Sequence, residues 1–180
     1  MTSEPIESQQ QPSEPKQEHR PTIKVWVDAD ACPKVIKELL FVTADRRPIE
    51  LTLVANHGMA IPKRSNIQLR LVAQGFDQAD NALVDWASAG DLVLTNDIPL
   101  AADLVAKGVA VLGFRGQSYN AQNIAEQLSR RNLMQELREL NMVQSGGSAF
   151  SAKDKQQFAN AFDAWLTRAL RALPNNAPAN

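Results

Sequence analysis

The chain has 180 residues, of which 44% are hydrophobic and 22% are charged, and its formal net charge is -1. This length predicts one globular domain with a sizeable core, and the near-neutral charge excludes a protein that coats nucleic acid non-specifically, although it allows a local basic groove. The single cysteine excludes an intrachain disulfide. The sequence has no apolar run of membrane-spanning length and no apolar core of a signal peptide, so we expect a cytoplasmic protein.

Composition divides the chain into a domain and two ends. Residues 1–21 are rich in proline, glutamine and glutamate. Such a segment buries too little apolar surface to offset its ordering entropy, so we expect a disordered tail. We expect a single α/β domain over residues 22–173 and a frayed C-terminus over residues 174–180.

Apolar, β-branched runs alternate with segments of helical period through this domain. We predict strands at residues 23–27, 51–55, 69–72, 92–94 and 109–112. We predict helices at residues 33–45, 77–89, 100–107, 121–140 and 153–173. In the first helix, Cys32 fits the N-cap and Pro33 the first helical position. The alternation predicts a three-layer α/β/α fold around a five-stranded, mainly parallel sheet.

Acidic residues follow two strands that this architecture places side by side. Asp28 and Asp30 come directly after the first strand, and Thr95 and Asp97 come directly after the fourth. If the strand order is 3-2-1-4-5, the ligand crevice lies between these two strands, outside their carboxyl ends. The sequence therefore predicts that these side chains converge in the crevice.

The second predicted helix brings two more carboxylates. Asp77 and Asp80 have i, i+3 spacing, which places them on one face of the helix. They lie near its N-terminus, where the helix dipole favours negative charge. The alternative is that one of them only caps the helix, and this alternative is stronger for Asp77. Carboxylates clustered in one crevice typically hold a hard divalent cation, Mg²⁺ or Mn²⁺, through oxygen ligands. The candidate metal ligands are Asp28, Asp30, Asp77, Asp80 and Asp97.

Three runs of the sequence closely resemble the YaiI/YqxD family of uncharacterised bacterial proteins, over about residues 22–170. They read VDADACP, GFDQADNALVDWASAGDLVLTNDIPLAADLVAKGVAVL and FRGQSYNAQNIAEQLSRR. The resemblance implies a PIN-like fold. PIN-like nucleases carry an acid after strand one, an acid on a later helix and a Thr-x-Asp after strand four, which implies catalytic roles for Asp28, Asp80, Thr95 and Asp97. The linker at residues 146–148 reads Gly-Gly-Ser where the family leads us to expect Gly-Gly-Pro.

The favoured function is a metal-dependent nuclease that acts on nucleic acid, with single-stranded RNA as the expected partner. In this reading the metal activates water and neutralises phosphate oxygens during in-line hydrolysis. Arg115 follows the fifth strand on the acidic edge, and a guanidinium is suited to bidentate phosphate contact, so we predict that Arg115 binds substrate.

Two alternatives come from other functional classes. Asp28-Ala29-Asp30 resembles the Asp-x-Asp of haloacid-dehalogenase-type phosphatases, in which Asp28 would be the nucleophile and Asp30 the acid/base. Strand direction argues against it, because Asp91, the residue resembling the late metal motif, begins a strand instead of ending one. The other alternative is a non-catalytic RNA-binding protein on the same fold. We expect Cys32 to be a small helix-entry residue and not a nucleophile.

Overall fold

The computed structural model describes residues 22–75, 77–143 and 146–174. The predicted tail at residues 1–21 and all but Pro174 of the predicted frayed C-terminus lie outside these ranges.

A single mixed sheet forms the centre of the molecule. Its strands are β1 (Ile23–Asp28), β2 (Ile49–Ala55), β3 (Ile67–Leu71), β4 (Leu92–Leu94), β5 (Ala110–Leu112) and β6 (Ser118–Tyr119). They lie in the order β3-β2-β1-β4-β5-β6. The first five are parallel, and β6 pairs antiparallel with β5. The order 3-2-1-4-5 is therefore confirmed, and the one strand that the sequence did not predict has only two residues.

Within the described ranges, five helices accompany the sheet: α1 (Lys34–Arg46), α2 (Gln78–Trp86), α3 (Ile98–Ala106), α4 (Ile124–Glu139) and α5 (Ala152–Ala172). Their positions agree with the predicted helices, with ends shifted by one to three residues. The predicted N-cap of α1 was wrong by one residue. Pro33 occupies the N-cap, because its carbonyl accepts the first helical hydrogen bonds, from the amides of Ile36 and Lys37.

The helices cover both faces of the sheet, which confirms the three-layer α/β/α fold. On one face, Ile36 and Leu40 of α1 and Phe158 and Phe162 of α5 are buried in one hydrophobic cluster. On the other face, the buried side chains of α2 and α3 pack with Trp26 and Val93 in a second cluster. Helix α4 packs outside α3. None of the described helices combines the length and apolarity needed to cross a membrane.

Candidate active site at the carboxyl edge of the sheet

A buried threonine links the acids that end β1 and β4. Thr95 is fully buried, and its Oγ1 donates to Asp28 Oδ2 at 3.0 Å. The same hydroxyl accepts from the amide of Asp97 at 3.0 Å. Asp97 Oδ1 in turn accepts from the amide of Leu100 at 2.9 Å, so Asp97 is the N-cap of α3. One hydroxyl therefore fixes Asp28 relative to Asp97 at the ends of neighbouring strands.

Asp28 is held in an environment that disfavours its charge. It is only 9% exposed. Burial is the main factor that raises the pKa of its carboxyl, and the negative charges of Asp30 and Asp97 add to the effect. Hydrogen bonds from the Thr95 hydroxyl and the Ala31 amide oppose it. An ionised Asp28 is thus stabilised by only a few donors in a crevice that is otherwise negative.

Asp80 joins this electrostatic environment from α2. Partial burial, followed by the charges of Asp97, Asp28 and Asp77, raises the pKa of Asp80 to about 6. The charges of Asp97 and Asp28 thus act on Asp80, and hydrogen bonds through Thr95 bring Asp28 and Asp97 together at this edge. Asp77 is the N-cap residue of α2, but its backbone is left-handed, with φ of 60°, and its side chain makes no capping hydrogen bond.

Asp30 connects the end of β1 to the turn after β2. Its Oδ2 accepts from the amide of Asn56 at 2.7 Å, and its Oδ1 lies 3.0 Å from Nδ1 of His57. Both oxygens of Asp30 therefore already have protein partners. Sequence reasoning missed His57, although the residues that follow the paired parallel strands β1 and β2 meet at one edge of the sheet.

The donor set suits a hard divalent cation, since carboxylates and a hydroxyl supply only oxygen ligands. Burial is the main cause of the raised pKa values of Asp28 and Asp80, and a cation would relieve the mutual repulsion that adds to them. Within the described ranges, however, no three His, Cys, Asp or Glu side chains already form a group that could hold a metal ion. The acids fit such an ion in chemistry, and a shared site would require their side chains to reorient.

Arg115 lies after β5, and its guanidinium is engaged by the start of α5. Its Nη1 pairs with Asp154 at 2.9 Å and also donates to Ser148 Oγ at 3.2 Å. The Asp154 carboxylate additionally accepts from the amide and hydroxyl of Ser151 in a capping box. These hydrogen bonds from Ser151, together with Arg115, lower the pKa of Asp154. We call Arg115, Ser148 and Asp154 the Arg115 clamp.

Gly116 allows the loop after β5 to approach α5 this closely. Its φ is +86°, and a Cβ at this position would lie 2.7 Å from the carbonyl oxygen of Gln157. A larger residue would therefore be strained and would push the loop away from α5. The sequence showed Arg115-Gly116 but not its partner, because Asp154 lies 39 positions further along the chain.

Asn96 is a second connection that sequence reasoning missed. Its Oδ1 accepts from the amide of the fully buried Phe114 at 2.9 Å. Asn96 thereby ties the loop after β4, which carries Thr95 and Asp97, to the loop after β5, which carries Arg115.

Two residues that bear on the alternative chemistries, Asp91 and Cys32, give them no support. Asp91 is at the amino end of β4, where its Oδ2 accepts from Trp26 Nε1 at 2.9 Å and from the amide of Ser88 at 3.0 Å. It therefore lies at the opposite edge of the sheet from Asp28. Cys32 is 5% exposed, and burial raises the pKa of its thiol to about 12. A thiol in this state is a poor nucleophile at neutral pH.

Comparison with known proteins settles the family. The family model described as uncharacterized, YaiI/YqxD, matches residues 26–168. The chain belongs to the YaiI/YqxD family. It is 53% identical over 151 residues to a UPF0178 protein of Maridesulfovibrio salexigens, a match that covers 84% of this chain and all of the relative. A UPF0178 protein of Syntrophotalea carbinolica is 51% identical over 146 residues, which are 81% of this chain and 99% of the relative.

A third UPF0178 protein, from Cellvibrio japonicus, is 51% identical over 145 residues, covering 80% of this chain and 96% of the relative. The names of these relatives describe a family and no reaction. No solved structure matches the chain. Function in this YaiI/YqxD protein therefore has to be argued from the site itself.

Proposed function

We propose that this YaiI/YqxD protein is a metal-dependent nuclease that hydrolyses phosphodiester bonds, with single-stranded RNA as substrate and Mg²⁺ or Mn²⁺ as cofactor. One observation carries the proposal. Asp28, Asp80 and Asp97 share one negative environment at the carboxyl edge of a parallel sheet, between β1 and β4. That crevice is where open α/β sheets bind their ligands.

The three carboxylates would hold the cation, which when bound would activate a water molecule and neutralise phosphate oxygens. Thr95 keeps Asp28 in one orientation, and capping of α3 keeps Asp97 in place. Two of the three acids are therefore positioned before substrate arrives, which lowers the cost of assembling the site. Asp80 is only partly buried, and we assign it the rotation that completes the set. In this proposal, Asp30 and Asp77 lie around the three acids that hold the cation.

The crevice is negative, so a polyanionic substrate needs the cation and a cationic side chain to bind. We propose that Arg115, on the neighbouring loop, supplies the phosphate contact. Its side chain is 30% exposed while it pairs with Asp154, so Arg115 is partly accessible to solvent.

The experiment is a cleavage assay on labelled single-stranded RNAs with chelator, Mg²⁺ or Mn²⁺. We expect cleavage with metal only, and at least a roughly hundredfold loss for Asp28→Asn and for Asp97→Asn, since each removes a proposed metal ligand. Asp85→Asn is the matched control, because it removes one negative charge from an exposed position on α2.

Cleavage that survives both Asp28→Asn and Asp97→Asn would contradict the proposal. Binding of the RNAs without cleavage in either metal would instead favour a non-catalytic RNA-binding protein. A phospho-enzyme trapped on Asp28 would revive the phosphatase alternative, although the position of Asp91 at the other edge of the sheet argues against it.

A further inference from the structure

One face of the sheet is covered only in part. Along β1 and β2, polar side chains alternate with core side chains and leave the same face as Trp26. Helix α2 packs on β1 and β2 from this side, and it has only nine residues. The part of the face nearer the amino ends of the strands forms a cleft of about 440 Å³, which we call the β1–β3 cleft. Its lining includes Lys24, Trp26, Glu50, Thr52, Gln68 and Arg70.

Arg70 lies at one end of the β1–β3 cleft, over two indole rings. Its guanidinium carbon, Cζ, is 5.6 Å from the centroid of the Trp26 ring and 5.0 Å from that of the Trp86 ring. Both distances are in the range of a cation–π interaction. The two rings are 6.1 Å apart, and Nε1 of Trp26 donates to Asp91 at 2.9 Å. Aromatic faces therefore hold Arg70 in place, and a hydrogen bond orients one of them.

No carboxylate neutralises this cation. Within the described ranges Arg70 makes no ion pair, and its side chain is exposed. Trp86 beside it is 36% exposed. Among the charged residues that line the cleft, Lys24 and Arg70 are positive and Glu50 is negative, which leaves a net charge of +1. The β1–β3 cleft is thus positive, whereas the acidic crevice is negative.

The chemistry of the lining favours a nucleobase that carries phosphate. A guanidinium held on aromatic rings offers a planar surface on which a base can stack. Thr52 and Gln68 can both donate and accept hydrogen bonds, as the edge of a base requires. Lys24 and Arg70 attract phosphate. The cleft is near the lower end of small-molecule pocket sizes, so it suits one nucleoside. An unstacked base of this kind is presented by a single strand and not by a duplex.

The register of the sheet places Arg70 close to the acidic crevice. Asp28 lies opposite Val54, and Val54 lies opposite Arg70. Neighbouring strands are about 4.8 Å apart, so the Cα atoms of Asp28 and Arg70 are roughly 10 Å apart and their side chains leave the same face. A strand of nucleic acid that passes Arg70 is therefore within a short distance of the proposed metal ligands.

We propose that the β1–β3 cleft binds one unstacked base of a single-stranded RNA. The base stacks on the guanidinium of Arg70, and Lys24 contacts a phosphate of the strand. Trp26 and Trp86 are positioning residues, because they hold the guanidinium. This binding needs neither metal nor cleavage, so it goes beyond the nuclease function. Only the delivery of the strand to the acids rests on the proposed function.

The test is fluorescence anisotropy of the full chain in chelator, with a labelled single-stranded RNA of about ten nucleotides. Two comparison ligands lack an unstacked base: a duplex RNA of the same length and an oligomer of the same length without bases. We expect both to bind at least about tenfold more weakly than the single strand, because base stacking contributes to binding only in the latter. This comparison uses the wild-type protein and is independent of any variant.

Substitutions then locate the contact. Arg70→Ala should raise the Kd for the single strand about tenfold. Arg70→Lys keeps the charge but loses the planar guanidinium, so it should also weaken binding of the single strand. Trp86→Ala should add little to Arg70→Ala, because both act on the same contact. Arg171→Ala is the matched control, since it removes an exposed arginine from α5, which covers the opposite face of the sheet, and it should leave the Kd unchanged.

Tryptophan emission gives a second readout. In a Trp165→Phe background, Trp26 and Trp86 are the only tryptophans, and their emission should change when the single strand binds but not with the oligomer without bases. Cooperative thermal melts show that each variant is folded.

Three results would overturn the proposal. The first is that the wild type binds no RNA, or binds the single strand no more tightly than the oligomer without bases. The second is a folded Arg70→Ala variant with the wild-type Kd. The third is a mononucleotide that binds as tightly as the single strand, which would make a free nucleotide the ligand. Single-strand binding in chelator combined with no cleavage in either metal would count against the nuclease function alone.

Discussion

The ionisation of Asp80 couples the crevice to pH. Its pKa of about 6 in the folded protein lies above the ordinary aspartate pKa of 3.8, so the folded protein binds this proton more tightly than the unfolded chain does. The stabilisation from protonated Asp80 is fully present below the unfolded pKa and is lost as pH rises through about 6. In chelator, the protein should therefore become more stable as the pH falls from neutral through this value.

Thermal melts of wild type and Asp80→Asn in chelator measure this contribution. We expect Asp80→Asn to flatten the pH dependence by on the order of 1 kcal/mol, after allowance for solvent screening, or about 2–4 °C in Tm. Asp28 has a raised pKa for similar reasons and acts in the same direction, so some pH dependence remains in the variant. Identical pH profiles for the two proteins would show that Asp80 is not coupled to the other acids.

Cys32 lies just before α1, and its reactivity is suppressed. Burial raises the pKa of the thiol to about 12, and the Asp28 charge contributes to that rise. We predict that Cys32→Ser keeps any nuclease activity within about tenfold, because water is the proposed nucleophile. Activity lost completely in a protein that still melts cooperatively would make the thiol the reacting group.

At the scale of elements, the Arg115 clamp joins the β5 loop to the N-terminus of α5. Arg115→Ala and Asp154→Ala both break the ion pair between these elements, so both should lower Tm. Only Arg115→Ala also removes the cation that we propose contacts the RNA phosphates. We predict that Arg115→Ala weakens RNA binding about tenfold and reduces its salt dependence, while Asp154→Ala does not weaken it.

Metal affinity is the internal control for the clamp, since neither substitution touches the proposed ligands. Fluorescence anisotropy with labelled RNA over a salt series, and Mn²⁺ titration, separate the two roles. Equal RNA binding by both variants and the wild type would leave Arg115 with a structural role only.

Alternation of strands and helices was readable from the sequence because apolar periodicity is a local signal. The predicted alternation was enough to place Asp28 and Asp97 at the carboxyl edge of the sheet, because the carboxyl ends of parallel strands meet there. Strand β6 was not predictable, because two residues carry no period. The partners of Arg115 and Asp30 were not predictable either, because tertiary contacts decide them and leave no local pattern.

For the molecule as a whole, folding competes with the repulsion gathered at the carboxyl edge. Asp97→Asn isolates this effect, because asparagine is as good an N-cap as aspartate and can keep the hydrogen bond to the Leu100 amide. Without metal, the variant loses one negative charge from the crevice. We therefore expect it to be more stable than the wild type by about 1 kcal/mol.

Divalent metal should reverse this order of stability. Ligand binding to the folded state stabilises the wild type by about 2.7 kcal/mol at a hundredfold excess over Kd, and the variant gains much less because it lacks one proposed ligand. Thermal melts should compare the wild type with Asp97→Asn and with the control Asp103→Asn, which removes an exposed charge from the same helix. The Tm of Asp97→Asn should lie above that of the wild type in chelator and below it in Mn²⁺. Asp103→Asn should show no such reversal. If Asp97→Asn is instead destabilised in chelator and Mn²⁺ shifts neither protein, then Asp97 serves α3 as a cap and the crevice holds no cation. The acids would then have to be explained by the fold alone, in which Thr95 and the α3 N-terminus already give Asp28 and Asp97 their partners.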